Sequence, residues 1–227
     1  MLYYAFLLPA LILAGIATML THNTFARYSK VRASSGMTGA QAAAHMLSSQ
    51  GISDVTIEPV QGFLSDHYDP TSKTLRLSPG VYGSDSLSAI GVACHEAGHA
   101  LQHADGYAPL HLRSAMVPVA QFGSFAPYIL MVAGMLFHAF FLVKLGALLF
   151  GAFVLFSLVT LPVEWNASAR AKALMTTTGI VSRDEQEMAG KVLNAAFLTY
   201  LAAAFTALMQ FLYFLLRSGL LGGRRNN

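Results

Sequence analysis

Hydrophobic positions in this chain of 227 residues gather into long runs separated by two polar stretches. The first run, LYYAFLLPALILAGIATML at residues 2–20, carries no charge, and its length is close to the ~20 residues that cross a hydrocarbon core as a helix. Its basic flank (Arg27, Lys30 and Arg32) comes after the run, where a signal peptide would have it before. This predicts an uncleaved anchor with its N-terminus outside. Residues 116–162 form a long apolar stretch whose only acidic or basic side chains are His138 and Lys144. They are about twice the length of one span and predict a helical hairpin with its tip near HAFFLVK. The last run, 195–216, is again uncharged. SRDE at 182–185 precedes it with the serine and glutamate of a capping box, so one helix from about Arg183 should continue into a fourth span.

Shorter periods appear in the first polar stretch. TGAQ is a capping box that opens a short helix, AQAAAHMLSSQ, ending at Gly51. DVTIEPV alternates as a strand does, with Val55 and Ile57 on one face. GFLSDHY and KTLRLS read as two further strands joined by the turn DPTS. SDSLSAIGVACHEAGHALQHADG reads as a helix capped by Ser84 or Asp85 and stopped at Asp105-Gly106. The expected organisation is an anchor at 1–21, an α/β segment at 22–114, a membrane hairpin at 115–162, a helical segment at 163–194, and a last span with its tail at 195–227. The fold class expected is a mainly α membrane protein: about four transmembrane helices and a small cytoplasmic α/β unit.

Composition sharpens this picture. Hydrophobic residues make up 55% and charged residues 11%, against roughly 25% charged in soluble domains. The net charge of +3 is spread along the chain, so no basic stripe for nucleic acid is visible. The single cysteine, Cys94, excludes an intramolecular disulfide framework and reads as a small buried side chain. A two-span hairpin between the polar stretches puts both on one face of the membrane. Arg27, Lys30, Arg32, Arg113, Arg170, Lys172 and Lys191 flank the spans on that face, against Lys144, Arg217, Arg224 and Arg225 on the other. The bias makes the shared face cytoplasmic, although Arg224 and Arg225 weigh the other way.

The chemistry is concentrated in HEAGHALQH, residues 95–103. His95 and His99 are four apart, so a helix projects both imidazoles from one side toward a single Zn²⁺. Glu96, beside the first ligand, can take a proton from water and pass it to a leaving amine. His103 lies about 12 Å along the axis from His95, too far to share the ion from one straight helix; it reads as a polar helix-end residue or a neighbour of the site. His22, His45, His111 and His138 have no partners at ligand spacing, while His67 sits in DHYDP next to a proposed edge strand. The third ligand must come from elsewhere. A metzincin pattern needs Gly at 102 and His at 105, where this chain has Gln102 and Asp105. An intramembrane site needs HExxH in a long apolar span, but Ser84, Asp85, Ser86, Ser88, His103 and Asp105 crowd the ends of this helix. Glu164, in LPVEWNASARA just past the hairpin, is the strongest candidate, with Asp105 and His67 as alternatives.

From about Gly36 onward the chain resembles the neutral zinc metallopeptidases of bacterial membranes. The resemblance rests on GFLSDHYDPTSKTLRLS, SDSLSAIGVACHEAGHALQH, LPVEWNASARA and KVLNAAFLTYLAAAF in that order. It is more distantly similar to the gluzincin clan of heat-shock membrane peptidases and CAAX prenyl endopeptidases. The resemblance implies zinc held by His95, His99 and Glu164, with Glu96 as general base. Where the clan has E-x-x-A-D, this chain has Ser168 in place of the aspartate, so a hydroxyl without charge would orient a ligating histidine. An oxyanion donor is needed as well, with Arg170, His67, Tyr68 and Asn166 as candidates, and the strands near DHYDP could hold an extended substrate by edge pairing. The expected function is a zinc endopeptidase of the bacterial cell membrane, embedded in the lipid bilayer and acting on a peptide or membrane-protein substrate. A non-proteolytic zinc-binding scaffold or chaperone is the alternative. A metal transporter needs ionisable groups inside its spans, and the hairpin offers only His138 and Lys144, both near its tip.

Overall fold

The computed structural model describes residues 2–62 and 65–217. Phe63 and Leu64 of the strand expected at GFLSDHY, and the tail with Arg224 and Arg225, lie outside the described residues. In chain order the elements are α1 (Leu2–Tyr28), α2 (Gly39–Ser49), β1 (Thr56–Pro59), β2 (His67–Asp69), β3 (Thr74–Leu77), α3 (Pro79–Tyr82), α4 (Leu87–Ala104), α5 (Ala108–Gly123), α6 (Ala126–Leu136), α7 (Phe140–Thr177) and α8 (Arg183–Arg217). The fold is mainly helical with one small sheet. Among the described residues three helices are long and apolar enough to cross a membrane: Tyr4–Tyr28, Phe140–Thr177 and Arg183–Leu216. The pair α5–α6, bent by 43°, makes a fourth if it counts as one span. Leu11, Ile12, Phe122, Ile129, Phe141, Leu148 and Leu155 are exposed on these helices, as side chains facing hydrocarbon are and side chains facing water seldom are.

Contacts divide the chain into two compact units. The first draws on Met1–Ile16, Leu112–Leu161 and Tyr200–Asn227. Its hairpin turns where expected, at His138, which takes φ of 52° between α6 and α7. Glycines let the two arms approach: a Cβ on Gly134 would stand 2.7 Å from Val143 Cγ2, and one on Gly146 3.0 Å from the Pro127 carbonyl oxygen. The first arm differs from the expected single span. It is helical from Ala108 and bends before α6, where Pro127 has no N–H to continue the ladder.

The second unit comprises Ala17–His111 and Pro162–Thr199. Its α2 starts with the expected capping box, Thr38 and Gln41 each bonding the other's backbone amide. The sheet order is β1-β3-β2, with β1 parallel and β2 antiparallel to β3. In the turn between β2 and β3, the Ser72 hydroxyl and the Thr71 amide donate to Asp69, holding its carboxyl down at about 2. Helix α4 is the centre of the unit: Leu87, Ile90, Ala93, Cys94 and Ala97 have no exposed surface, and each buried Leu or Ile contributes about 1.5–3 kcal/mol. Its N-cap is Ser86, whose Oγ accepts from the Ala89 amide at 3.3 Å, not Ser84 or Asp85. Those two side chains are engaged elsewhere, Asp85 with Arg32 at 2.5 Å and Ser84 with the Ser86 hydroxyl at 3.0 Å. Helix α7 is also longer than expected. The expected end of the hairpin at 162 is no helix boundary: α7 runs unbroken through Pro162 into the segment beyond. Pro162 lies on the exposed side, where the loss of one backbone bond is tolerated in a long apolar helix. The start of α8 shows the capping box read from SRDE, with the Ser182 amide donating to Glu185 at 2.8 Å and the Glu185 amide to Ser182 Oγ at 3.3 Å.

Candidate metal centre

Small residues on α4 decide how near α7 can come. A Cβ on Gly98 would stand 2.6 Å from the Ala167 carbonyl oxygen, and Ala167 and Ala171 across the contact have no exposed surface. This approach brings Glu164, near the middle of α7, against the HEAGH face of α4. His95 Nε2 lies 3.1 Å and His99 Nε2 3.6 Å from Glu164 Oε2. Among the described residues these three form the one group whose ligand atoms, all within 4.8 Å of one another, can hold a metal ion.

The donor set fits zinc. A tetrahedral ion with bonds of about 2.1 Å has its ligand atoms about 3.4 Å apart, and the two observed separations bracket that value. Two imidazole nitrogens and one carboxylate leave a fourth position open, as hydrolytic zinc sites do. Glu164 is 1% exposed and His99 6%. A carboxylate buried so far needs opposite charge or hydrogen bonds to offset its desolvation, and a divalent cation between these side chains supplies charge of the right sign.

Each histidine turns Nε2 toward Glu164 and commits Nδ1 elsewhere. His95 Nδ1 lies 3.0 Å from Ser168 Oγ, so the serine occupies the place expected of the missing aspartate. His99 Nδ1 lies 3.0 Å from Gln102 Oε1. Gln102 donates its Nε2 to the Val163 carbonyl at 2.8 Å and to Asn166 Oδ1 at 3.0 Å, which fixes its oxygen toward His99. His99 therefore donates from Nδ1 and directs Nε2 toward Glu164, the orientation that a ligating imidazole needs. Gln102 escaped the sequence reading, although its full burial and its place three residues after His99 are where such a partner belongs.

The remaining candidates are placed as follows. Glu96 is half-buried, and no hydrogen bond or ion pair joins its carboxylate to another described residue. Arg170 bonds Asn166 at 2.8 Å and pairs with Asp105, so Asp105, an alternative third ligand, stands outside the metal-holding group. His67, the other alternative, is exposed and bonds the Ser65 carbonyl at 2.8 Å. His103 also stands outside the group; its Nδ1 lies 2.9 Å from the Tyr68 hydroxyl. Burial, helped by Asp54 and Asp69, pushes the Tyr68 hydroxyl up to about 12, which keeps it a proton-bearing donor at neutral pH.

Comparison with known proteins agrees with this arrangement. The family model described as "putative neutral zinc metallopeptidase" matches residues 3–219. The chain is 46% identical to the putative membrane protease YugP of Bacillus subtilis (strain 168), over the whole length of both. No solved structure matches. With the match running nearly end to end, and two histidines and a glutamate gathered where they could hold a metal ion, this chain belongs to the family described as "putative neutral zinc metallopeptidase".

Proposed function

We propose that this chain is an integral membrane zinc endopeptidase that hydrolyses peptide or membrane-protein substrates, with its catalytic unit in the cytoplasm. The observation that carries the reading is the convergence of His95, His99 and Glu164 beside a helix that also bears Glu96. Zinc, when bound by these residues, supplies the Lewis acidity that makes water a stronger nucleophile and a peptide carbonyl a stronger electrophile. Glu96 follows the first ligand directly and has no competing partner among the described residues. It accepts a proton from the attacking water and delivers it to the leaving amine. Ser168 and Gln102 hold the two imidazoles in the orientation and tautomer that the metal requires.

Tyr68 is the group we assign to the carbonyl oxygen as it gains charge. Its hydroxyl bears a proton at neutral pH and bonds His103, which follows Glu96 by two turns and so lies on the same side of α4, whereas the Arg170 guanidinium is already neutralised by Asp105. A cavity of about 410 Å³, lined by Ala100, His103, Ala104 and Tyr68 among others, gives room there for a substrate side chain. Strand β2 is an edge of its sheet and can accept an extended substrate by main-chain pairing.

The test uses full-length protein purified in detergent, with zinc measured by elemental analysis and cleavage followed on an unstructured protein such as casein. The wild type should hold a single zinc and lose cleavage to a chelator. Glu96→Gln should keep the metal and lose cleavage. Tyr68→Phe should keep it and lower kcat by about 10²-fold, the usual cost of one oxyanion donor. A zinc-loaded wild type that cleaves nothing would favour the non-proteolytic scaffold, and zinc loss in Glu96→Gln would make that glutamate a ligand.

A further inference from the structure

Helices α1, α7 and α8 enclose a second cavity in the metal-bearing unit, about 530 Å³, on a side of α7 that does not bear Glu164. It is lined by Leu20 and Thr24 from α1, Trp165 and Lys172 from α7, and Lys191, Asn194, Ala195, Phe197 and Leu198 from α8, residues that divide by polarity along the helix axes. On α7, Lys172 follows Trp165 by seven residues; on α8, Lys191 precedes Leu198 by seven; on α1, Thr24 follows Leu20 by four. One end of the groove therefore carries two lysines, a threonine and an asparagine. The other, about 10 Å away at 1.5 Å per residue, carries Leu20, Trp165, Phe197 and Leu198, and the uncharged runs of all three helices continue from that end.

The polar end is cationic and uncompensated. Among the described residues no carboxylate pairs with Lys172 or Lys191. Lys172 donates to Asn194 Oδ1 at 3.1 Å and lies 5.5 Å from the Trp165 ring centroid, its methylenes resting where Gly190 has no Cβ, 3.3 Å from that position. Trp165, 57% exposed and 5.2 Å from Phe197 by ring centroids, forms one wall. Two cations at one end and aromatic and aliphatic walls at the other match a negatively charged headgroup joined to an acyl chain, and a tryptophan at the join is the usual residue of a membrane–water boundary.

We propose that this groove binds one anionic phospholipid, its phosphate between Lys172 and Lys191 and its chain against Trp165, Phe197 and Leu20. The site needs only that the chain lies in a bilayer and stands apart from any role in proteolysis. A free phosphate would leave the apolar end unfilled, and an uncharged apolar helix of another protein would leave the lysines unanswered.

Trp165 is the only tryptophan in the chain, so its fluorescence reports on the groove alone. Full-length protein is reconstituted into phosphatidylcholine vesicles containing either brominated phosphatidylglycerol or brominated phosphatidylcholine, and quenching gives the relative affinity for each. The wild type should prefer the anionic lipid by more than tenfold, since each basic residue near an anionic surface is worth about fivefold. Lys172→Gln with Lys191→Gln should bring the ratio to about one, while Lys172→Arg with Lys191→Arg restores it. Zinc content equal to wild type in both variants shows that the unit is still folded. A wild-type ratio of one, as an apolar partner helix or a simple lipid-facing surface would give, overturns the proposal. So does a preference that survives the double glutamine substitution.

Discussion

Glu164 is the residue on which the proposed metal site turns, because α4 brings only two histidines to the group and the carboxylate reaches them from a distant part of the chain. Its oxygen stands nearly equidistant from both imidazoles, 3.1 and 3.6 Å. Glu164→Gln should therefore weaken zinc binding by orders of magnitude and abolish cleavage. Glu58→Gln, which breaks a partly exposed pair with Arg76, and Glu187→Gln on an exposed position should leave zinc unchanged, since such surface groups contribute about 0–1 kcal/mol. Zinc stoichiometry against a competing chelator measures the difference, and a fully metallated Glu164→Gln would return the third ligand to Asp105 or His67. Gln102→Leu fills similar space without the amide and should weaken zinc by about 10–100-fold, as loss of a ligand's hydrogen-bond partner does. His95, His99 and Glu164, which the fold gathers into a group able to hold a metal, stand out in the sequence because histidine and glutamate at these spacings are chemically conspicuous. Gln102 does not, since an amide has no charge to betray its purpose, and neither does the commitment of Asp105 to Arg170.

At the scale of the element, α4 and α7 approach through glycine and alanine, and two glycines on α4 should respond differently to substitution. Gly98→Ala puts a Cβ 2.6 Å from the Ala167 carbonyl oxygen. Backbone cannot rotate away, so the helices must part, at a cost of about 1–3 kcal/mol, and Glu164 retreats with α7. A lower Tm and weaker zinc binding are expected together. Gly91→Ala meets its nearest atom, the Ala189 carbonyl oxygen, at an ordinary 3.4 Å. It should be neutral or stabilising by up to about 1 kcal/mol through helix propensity. Equal effects at the two positions, by thermal unfolding of the detergent-solubilised protein, would show that the close contact is not formed. The capping boxes of α2 and α8 are readable in the sequence because they are local, two side chains closing on a helix start three residues apart. The continuity of α7 through Pro162 and the bend between α5 and α6 are not. A proline reads as a boundary in sequence, and only its neighbours in space decide whether the helix bends there or carries on.

For the whole molecule, the two polar stretches separated by the hairpin fold into one compact unit. A unit of that kind cannot be divided by a bilayer, so residues 72 and 177, from different stretches, must share a side. Which side follows from charge: the basic flanks cluster around this unit, so it should face the cytoplasm. Cysteines introduced one at a time at Ser72 and Thr177, both exposed, report on this directly. The native Cys94 adds little background, because full burial pushes its thiol up to about 12 and leaves almost no thiolate; Cys94→Ala removes it altogether. In intact cells both introduced cysteines should resist a membrane-impermeant thiol reagent, and both should react once the membrane is opened. Reaction of both in intact cells would reverse the orientation and move hydrolysis to the outer face, leaving the metal site as it stands. Reaction of one alone would contradict the compact unit itself, since Glu164 and the HEAGH helix could then not meet.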